Sequence, residues 1–238
     1  KLAASQGHAD ALYKLGNCYY EGEGVSVDYA EAVKYYKLAA DQGHETAQYY
    51  LGHCYYHGKG VSVDYADALC YYQVAAEQGR SDAQYYVGQC YYFGRGVRVD
   101  DSEAVKHYKL AADEGHPDAQ YMLGKCYHNG RGVSVDDAEA VEYYKLAADQ
   151  GHKDAQYHLG QCYYSGEGVD VDYAEAMRYY KLAADQGHAV AQYMLGQCYY
   201  KGHGVIVDPT KAVVYNKLAA DQGHADAQNT IVILRRRT

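Results

Sequence analysis

Residues 118–152 read DAQYMLGKCYHNGRGVSVDDAEAVEYYKLAADQGH, and close copies of this stretch recur along the chain every 36 residues. Cysteine marks the period most clearly, at Cys18, Cys54, Cys90, Cys126, Cys162 and Cys198. Glycine follows the same spacing in three series, which begin at Gly16, Gly22 and Gly24. A fixed period of this length is the sequence signature of a repeat protein.

Each unit carries two patterns of helical spacing separated by a glycine-rich loop. The first pattern places apolar side chains on one face, at Ala119, Leu123, Cys126 and Tyr127. The loop Asn-Gly-Arg-Gly-Val then ends this helix, because Gly130 and Gly132 can adopt the left-handed conformation without steric penalty.

The second helix of the unit is predicted to begin after Asp136, whose carboxylate can accept the free amide hydrogens of the first turn. Glu139 follows three residues later, as in a capping box. In the sixth unit Pro209 follows the equivalent Asp208, and proline favours the first helical position. The buried stripe of this helix is predicted to comprise Ala140, Val141, Tyr144, Ala147 and Ala148.

Two antiparallel helices cannot bury these stripes alone, so neighbouring units must stack. The sequence therefore predicts an all-α fold, an α/α solenoid of stacked helical hairpins that forms a right-handed superhelix with a 36-residue period. Residues 1–238 are predicted to form a single solenoid, with six full repeats at about 5–220 and partial repeats at 1–4 and 221–238. Small residues such as Gly124 let the helices approach closely, and tyrosines are expected to fill the larger gaps with their hydroxyls directed outward.

Composition excludes several classes of function. The 238 residues are 48% apolar, which is sufficient for a buried core. The net charge is −9 and the 22 Lys and Arg residues are dispersed, which argues against nucleic acid as a partner. No stretch approaches the roughly 18 consecutive apolar residues of a membrane span, so no membrane contact is expected in this segment.

The repeated signature resembles that of the Sel1-like repeat family, which is related to the tetratricopeptide repeats. The matching motifs are Ala-Gln-Tyr-x-Leu-Gly-x-Cys-Tyr, Gly-x-Gly-Val-x-Val-Asp and Glu-Ala-x-x-Tyr-Tyr-Lys-Leu-Ala-Ala-Asp-Gln-Gly-His, and they recur from Lys1 to about Gln228. The resemblance implies a curved helical scaffold that serves as an adaptor in signalling, in protein degradation complexes or in host–microbe contact.

Two features depart from the family's pattern. A secreted branch of the family carries two cysteines per repeat, whereas each unit here carries one from the periodic series. The final half-unit also differs, because Asn229, Val232 and Leu234 replace the expected Tyr, Gly and Cys, and three arginines follow. This half-unit is interpreted as either a cap or a truncated repeat.

The cysteine ladder is predicted to consist of buried thiols. Equivalent helices of adjacent units lie about 8–10 Å apart, whereas a disulfide requires Cα atoms within about 7 Å. Thiols without disulfides are typical of a reducing compartment such as the cytoplasm. The first four residues resemble the end of a preceding unit, so any targeting signal would lie outside this chain and the localisation stays open.

The histidine ladder is interpreted as turn or capping residues, because single histidines one unit apart are too distant to share a metal. It comprises His8, His44, His116, His152, His188 and His224. His53 and His57 lie on one helical face at a spacing that a metal could use, but no third ligand accompanies them. No catalytic set stands apart from the repeat, so no catalytic residue, metal site or cofactor is predicted.

Comparison of the six units with one another reveals three variable positions on one face of the first helix. We call them row one (Lys14, Tyr50, Tyr86, Met122, His158, Met194), row two (Asn17, His53, Gln89, Lys125, Gln161, Gln197) and row three (Glu21, His57, Phe93, Asn129, Ser165, Lys201). In tetratricopeptide architectures this helix lines the concave side, where solenoids generally bind.

These rows predict a partner-binding surface on the concave face, with units two to four contributing most. Its residues are Tyr50, His53, His57, Tyr86, Gln89, Phe93, Met122, Lys125, Asn129, His158 and Met194. Aromatic and Met side chains are enriched at interfaces. Exposed positions that drift freely would vary in the same way, and the sequence leaves this alternative open.

The sequence therefore favours a non-catalytic adaptor for a protein or peptide partner, of open oligomeric state. One alternative is a repeat region within a larger enzyme or signalling protein. Another is an engineered or purely structural array, against which the irregular residues Arg80, Pro117 and Cys70 count.

Overall fold

The computed structural model of the protein describes the backbone of residues 8–235 and the side chains of residues 8–231. The partial repeat predicted at 1–4 and Arg236 and Arg237 of the tail lie outside the described residues. The described part is all-α, as predicted, and holds no strand. Its thirteen helices are α1 (Ala9–Glu21), α2 (Tyr29–Ala40), α3 (Glu45–His57), α4 (Tyr65–Glu77), α5 (Ser81–Phe93), α6 (Asp101–Asp113), α7 (Pro117–Asn129), α8 (Asp137–Asp149), α9 (Lys153–Ser165), α10 (Tyr173–Asp185), α11 (Ala189–Lys201), α12 (Pro209–Asp221) and α13 (Ala225–Arg235).

Odd-numbered helices from α1 to α11 are the first helices of six hairpins, and even-numbered helices are the second. The chain divides into two compact units, Lys1–Ala119 and Gln120–Thr238. In the first unit buried residues cluster around Tyr36 and Tyr72. In the second unit they cluster around Tyr144 and Tyr180.

The predicted signals for helix ends are confirmed. The Asp136 carboxylate accepts the Glu139 N–H at 3.0 Å, and Pro209 takes the first turn of α12 behind Asp208. Gly130 and Gly132 have φ of 67° and 75°, a left-handed conformation that side chains disfavour. The two glycines and the capping aspartate therefore define where the first helix of a unit ends and where the second begins.

Histidine caps the first helices, as interpreted from the sequence. The Nδ1 of His44 accepts the Ala47 N–H at 3.2 Å, and His116, His152, His188 and His224 make the equivalent bond at 3.1–3.3 Å. His8 is the exception, because its side chain makes no capping bond. The Nε2 of His188 lies 3.4 Å from Asp154 Oδ1 of the preceding repeat, so the same ring also joins two repeats.

In the first five hairpins a glycine of the first helix packs on a tyrosine of the second, and in the sixth Gly196 packs on Asn216. A Cβ added at Gly160 would lie 2.8 Å from the Tyr180 ring, and one at Gly52 would lie 2.9 Å from the Tyr72 ring. These tyrosines are completely buried. The expectation that tyrosine hydroxyls point outward is therefore wrong for this position, because the ring fills the space that glycine leaves between the two helices.

The cysteine ladder lies in the same core. Cys54, Cys90, Cys162 and Cys198 are buried free thiols, as predicted, whereas Cys18 is half-buried and Cys70 is exposed. Burial raises the pKa of Cys54 and Cys90 to about 12, so both stay protonated and unreactive at neutral pH. These thiols behave as small apolar side chains.

Loops of neighbouring repeats meet through backbone. A side-chain carbon at Gly60 would overlap the backbone of Tyr29 in the preceding repeat, and one at Gly96 would overlap that of Tyr65. Gly168 approaches the backbone of Asp137 in the same manner. The loop therefore rests on the start of the preceding second helix whatever side chain that helix carries there.

Candidate partner-binding surface

The predicted surface residues all lie on first helices, but their exposure differs from row to row. Row one packs against the preceding repeat: Tyr50 stacks on Tyr36 at 5.4 Å, Tyr86 on Tyr72 at 4.8 Å and His158 on Tyr144 at 5.4 Å. Met122 is buried, and Met194 is half-buried against the core around Tyr180. This row therefore joins repeats and supports the surface from beneath.

Row two faces the buried tyrosines and contributes polar atoms. Asn17 Oδ1 accepts a hydrogen bond from the Tyr36 hydroxyl at 2.7 Å, and Gln161 Oε1 accepts one from Tyr180 at 3.1 Å. Gln89 is buried and donates to the Tyr85 hydroxyl at 2.8 Å. Lys125 is half-buried, with its Nζ 5.5 Å from the centre of the Tyr121 ring.

Row three is the outermost. His57, Phe93 and Asn129 are exposed, and Phe93 keeps 51% of its surface accessible. Asn129 Nδ2 donates to the Lys125 carbonyl at 2.8 Å, which holds that amide against its own helix. Of the three rows, row three offers the most side-chain surface to a partner.

Two cations that sequence reasoning missed lie beside row three, in the Gly-x-Gly loops. Lys59 Nζ is 2.6 Å from the Tyr20 hydroxyl, to which it donates, and 4.7 and 5.5 Å from the ring centres of Tyr20 and Tyr29. The loop was interpreted only as a helix end. The sequence does carry a signal for a variable surface position here, because the residue between the two loop glycines differs between units while the glycines do not. The residues at this position are Glu23, Lys59, Arg95, Arg131, Glu167 and His203.

Arg95 is the equivalent cation of the third repeat. Its guanidinium hydrogen-bonds to the Tyr56 hydroxyl and lies 5.0, 5.5 and 5.1 Å from the ring centres of Tyr56, Tyr65 and Phe93. Cation–π contacts of this kind hold a side chain in place without neutralising its charge.

His53 and His57 form a close imidazole pair, with ring centres 4.2 Å apart. Burial lowers the pKa of His53 to about 4, and His57 and Lys59 add to this shift. Burial also lowers the pKa of His57, with Lys59 and Arg95 acting in the same direction. Across residues 8–231, no group of three or more His, Cys, Asp or Glu side chains is placed to hold a metal ion.

No helix in the described part of the chain combines the length and apolarity that crossing a membrane requires. Repeated capped hairpins, the glycine–tyrosine contact and the variable outer row together define a helical-hairpin repeat protein. The Sel1 repeat profile matches residues 9–44, 46–79, 81–116, 117–152, 153–188 and 189–224. The chain belongs to the Sel1 repeat family, as the resemblance in its sequence implied.

Solved structures agree with this assignment. The chain is 39% identical to c5321, a protective antigen present in uropathogenic Escherichia coli strains that displays an SLR fold, with a TM-score of 0.92 over 98% of this chain and 50% of that one. It therefore spans about half the length of that protein. A Sel1 repeat protein from Oxalobacter formigenes is 32% identical, with a TM-score of 0.82 over 91% of this chain and 86% of that one.

A more distant likeness concerns the fold alone. The immunity protein Pa5087 from Pseudomonas aeruginosa is 24% identical, with a TM-score of 0.54 over 90% of this chain and 81% of that one. The comparison with curated proteins returns no match. Sel1 repeat proteins are generally protein-interaction scaffolds and are typically non-catalytic.

Proposed function

We propose that this chain is a non-catalytic adaptor that binds a protein or peptide partner along the first-helix face, the concave face of the predicted solenoid. The observation that carries the proposal is the contrast between the repeated positions and row three. Caps, glycines, buried tyrosines and thiols are all accounted for by packing, whereas the exposed side chains of row three differ in every unit.

Row three supports the proposal through His57 and Phe93 in particular. Phe93 is a large apolar side chain with 51% of its surface accessible, and His57 is exposed on the preceding repeat. Aromatic side chains of this kind contribute much of the binding energy at protein interfaces. Gln89 and Met122 of the predicted surface are buried, so they offer little side-chain surface of their own to a partner.

The adaptor is tested by affinity purification of the full chain from cells that express it naturally, followed by mass spectrometry. The partner found is then measured against the double variant His57→Ala/Phe93→Ala. We expect its binding to weaken by roughly tenfold or more, since both side chains are exposed and neither belongs to the buried core. Tyr86 is kept unchanged because its ring stacks on Tyr72.

The matched control is Val74→Ala/Leu110→Ala, which removes two exposed apolar side chains from the second helices α4 and α6. We expect the control to bind the partner as the unaltered chain does. Equal binding by the His57/Phe93 variant, or an equal loss in the control, would show that the first-helix face does not hold the partner.

A further inference from the structure

The second and third repeats gather cationic and aromatic side chains into one patch on the first-helix face. The patch consists of His53, His57, Lys59, Phe93 and Arg95. His53 Nδ1 and Lys59 Nζ both lie within hydrogen-bonding distance of the Tyr20 hydroxyl, at 3.3 and 2.6 Å. Arg95 covers the Phe93 ring at 5.1 Å. None of the five is acidic, although the chain as a whole carries a net charge of −9.

The two full cations of the patch are held in position before any ligand arrives. Lys59 is fixed by the hydroxyl and ring of Tyr20 and by the Tyr29 ring. Arg95 is fixed by the rings of Tyr56 and Tyr65. Their partners are tyrosines and not carboxylates, so both charges stay available. A cation that is already ordered loses less conformational entropy when it binds an anion.

The two histidines report the resulting positive field. Lys59 lowers the pKa of both His53 and His57, and Arg95 lowers that of His57, in addition to the larger effect of burial. Nearby cations therefore act on this site without a compensating anion. A bound carboxylate would oppose their effect and raise the pKa of His57.

Within the first unit, the positive character belongs to the second and third repeats. In the first repeat the positions equivalent to His57 and Lys59 are Glu21 and Glu23, both exposed. Asp82 lies at the other end of α5, where it pairs with Arg80 at 3.0 Å and with His116 at 3.4 Å. On the side of the first repeat, the patch is therefore bordered by Glu21 and Glu23. The Asp82 carboxylate, at the far end of α5, is already paired.

We propose that this patch binds an extended acidic peptide, with one carboxylate on Lys59, a second on Arg95 and an aromatic or apolar side chain against Phe93. The inference rests on the proposed adaptor function and names the chemistry of the partner. Equivalent positions of stacked helices lie about 10 Å apart, and a peptide in the polyproline II conformation rises about 3.1 Å per residue and presents the same face every third residue. The two acidic residues are therefore about three positions apart.

The test uses fluorescence anisotropy of the full chain with a fluorescein-labelled peptide that contains Glu-Ala-Phe-Glu. Its control is the peptide with Gln in place of each Glu. We expect the Glu peptide to bind at least tenfold more tightly, and to weaken when NaCl rises from about 50 to about 300 mM. Lys59→Gln and Arg95→Gln should each weaken it roughly tenfold, since each removes a charge-assisted hydrogen bond.

Two further variants separate charge from folding. Lys59→Arg keeps the cation and should retain binding of the Glu peptide. Lys106→Gln removes an exposed cation on α6 and should leave the affinity for the Glu peptide unchanged. Circular dichroism checks that every variant retains its helices. NMR titration of the His57 ring should show its pKa rising when the Glu peptide is bound.

Equal binding of the Glu and Gln peptides, or no binding of either, would overturn the acidic-peptide inference. Binding of a labelled six-thymidine oligonucleotide as tight as that of the peptide would also overturn it, in favour of a general anion site. The adaptor proposal is judged separately, by the natural partner and the His57→Ala/Phe93→Ala variant. If that variant loses the partner while both peptides bind alike, the adaptor stands and only the acidic specificity fails.

Discussion

The fourth and fifth repeats differ at the buried tyrosine that closes each hairpin. In the fifth repeat the Tyr180 hydroxyl donates to Gln161 Oε1 at 3.1 Å. In the fourth, Tyr144 is as deeply buried but its hydroxyl has no hydrogen-bond partner; row two carries Lys125 there, which offers no acceptor for the hydroxyl proton. The ring contact is common to both repeats, and the hydroxyl bond is a separate contribution that a repeat can lack.

Loss of the ring contact has the largest expected effect. An alanine at Gly160 would place its Cβ 2.8 Å from the buried Tyr180 ring, and one at Gly124 would be 2.5 Å from the Tyr144 ring. We expect Gly160→Ala to lower the free energy of unfolding by about 1–3 kcal/mol, and Gly124→Ala by at least as much. Urea unfolding of the full chain measures both, with the exposed Lys181→Ala as control. An effect of the glycine variants no larger than that of the control would contradict the contact.

Removal of the hydroxyls should distinguish the two repeats. Tyr180→Phe loses the bond to Gln161 and should lower the free energy of unfolding by about 1 kcal/mol. Tyr144→Phe removes a buried hydroxyl that has no partner and should be neutral or stabilising. The measurement is the shift of the urea midpoint. Equal losses for the two variants would show that the repeats do not differ here.

A replacement at row two should give the buried tyrosine hydroxyl of the fourth repeat the hydrogen bond that the fifth repeat has. Lys125→Gln supplies an acceptor for the Tyr144 hydroxyl and should stabilise the chain by about 0.5 kcal/mol, after the loss of the cation over the Tyr121 ring. The gain should disappear when the same change is made together with Tyr144→Phe. A gain that persists in the double variant would mean that the hydroxyl is not its source.

The smallest effect concerns pH at the start of the sixth repeat. His188 accepts the Ala191 N–H at 3.1 Å, and burial lowers its pKa below the usual 6.5 while Asp154 partly opposes this. The folded state therefore favours the neutral ring. Its stabilising contribution is complete above about pH 6.5 and declines as the pH falls through the lowered pKa. His188→Asn keeps a capping acceptor and should flatten the dependence of the urea midpoint between pH 7 and pH 5. An unchanged slope would contradict this assignment.

Much of the fold follows from local signals in the sequence. Asp136, Pro209 and the histidine ladder act within one turn of helix, so spacing alone identifies them as caps. The exposed part of the binding surface was harder to predict, because variation at Tyr86 and at Phe93 looks alike in the sequence. Only the packing shows that Tyr86 lies on Tyr72 whereas Phe93 faces outward. Lys59 and Arg95 were missed for a related reason, since the tyrosines that hold them belong to the preceding repeat, and only the contact of Arg95 with Phe93 is local.

The contact between the second loop glycine and the backbone of the preceding repeat's second helix has an evolutionary consequence. Gly96 rests on Tyr65 and Gly168 on Asp137, so the fit does not depend on which side chain begins the helix. A duplicated unit inserted between two others can form the same glycine-to-backbone contact with the repeat on either side. Gene segments of this kind can lengthen or recombine while the residue between the two glycines changes independently, which allows new specificities to arise without rebuilding the joint.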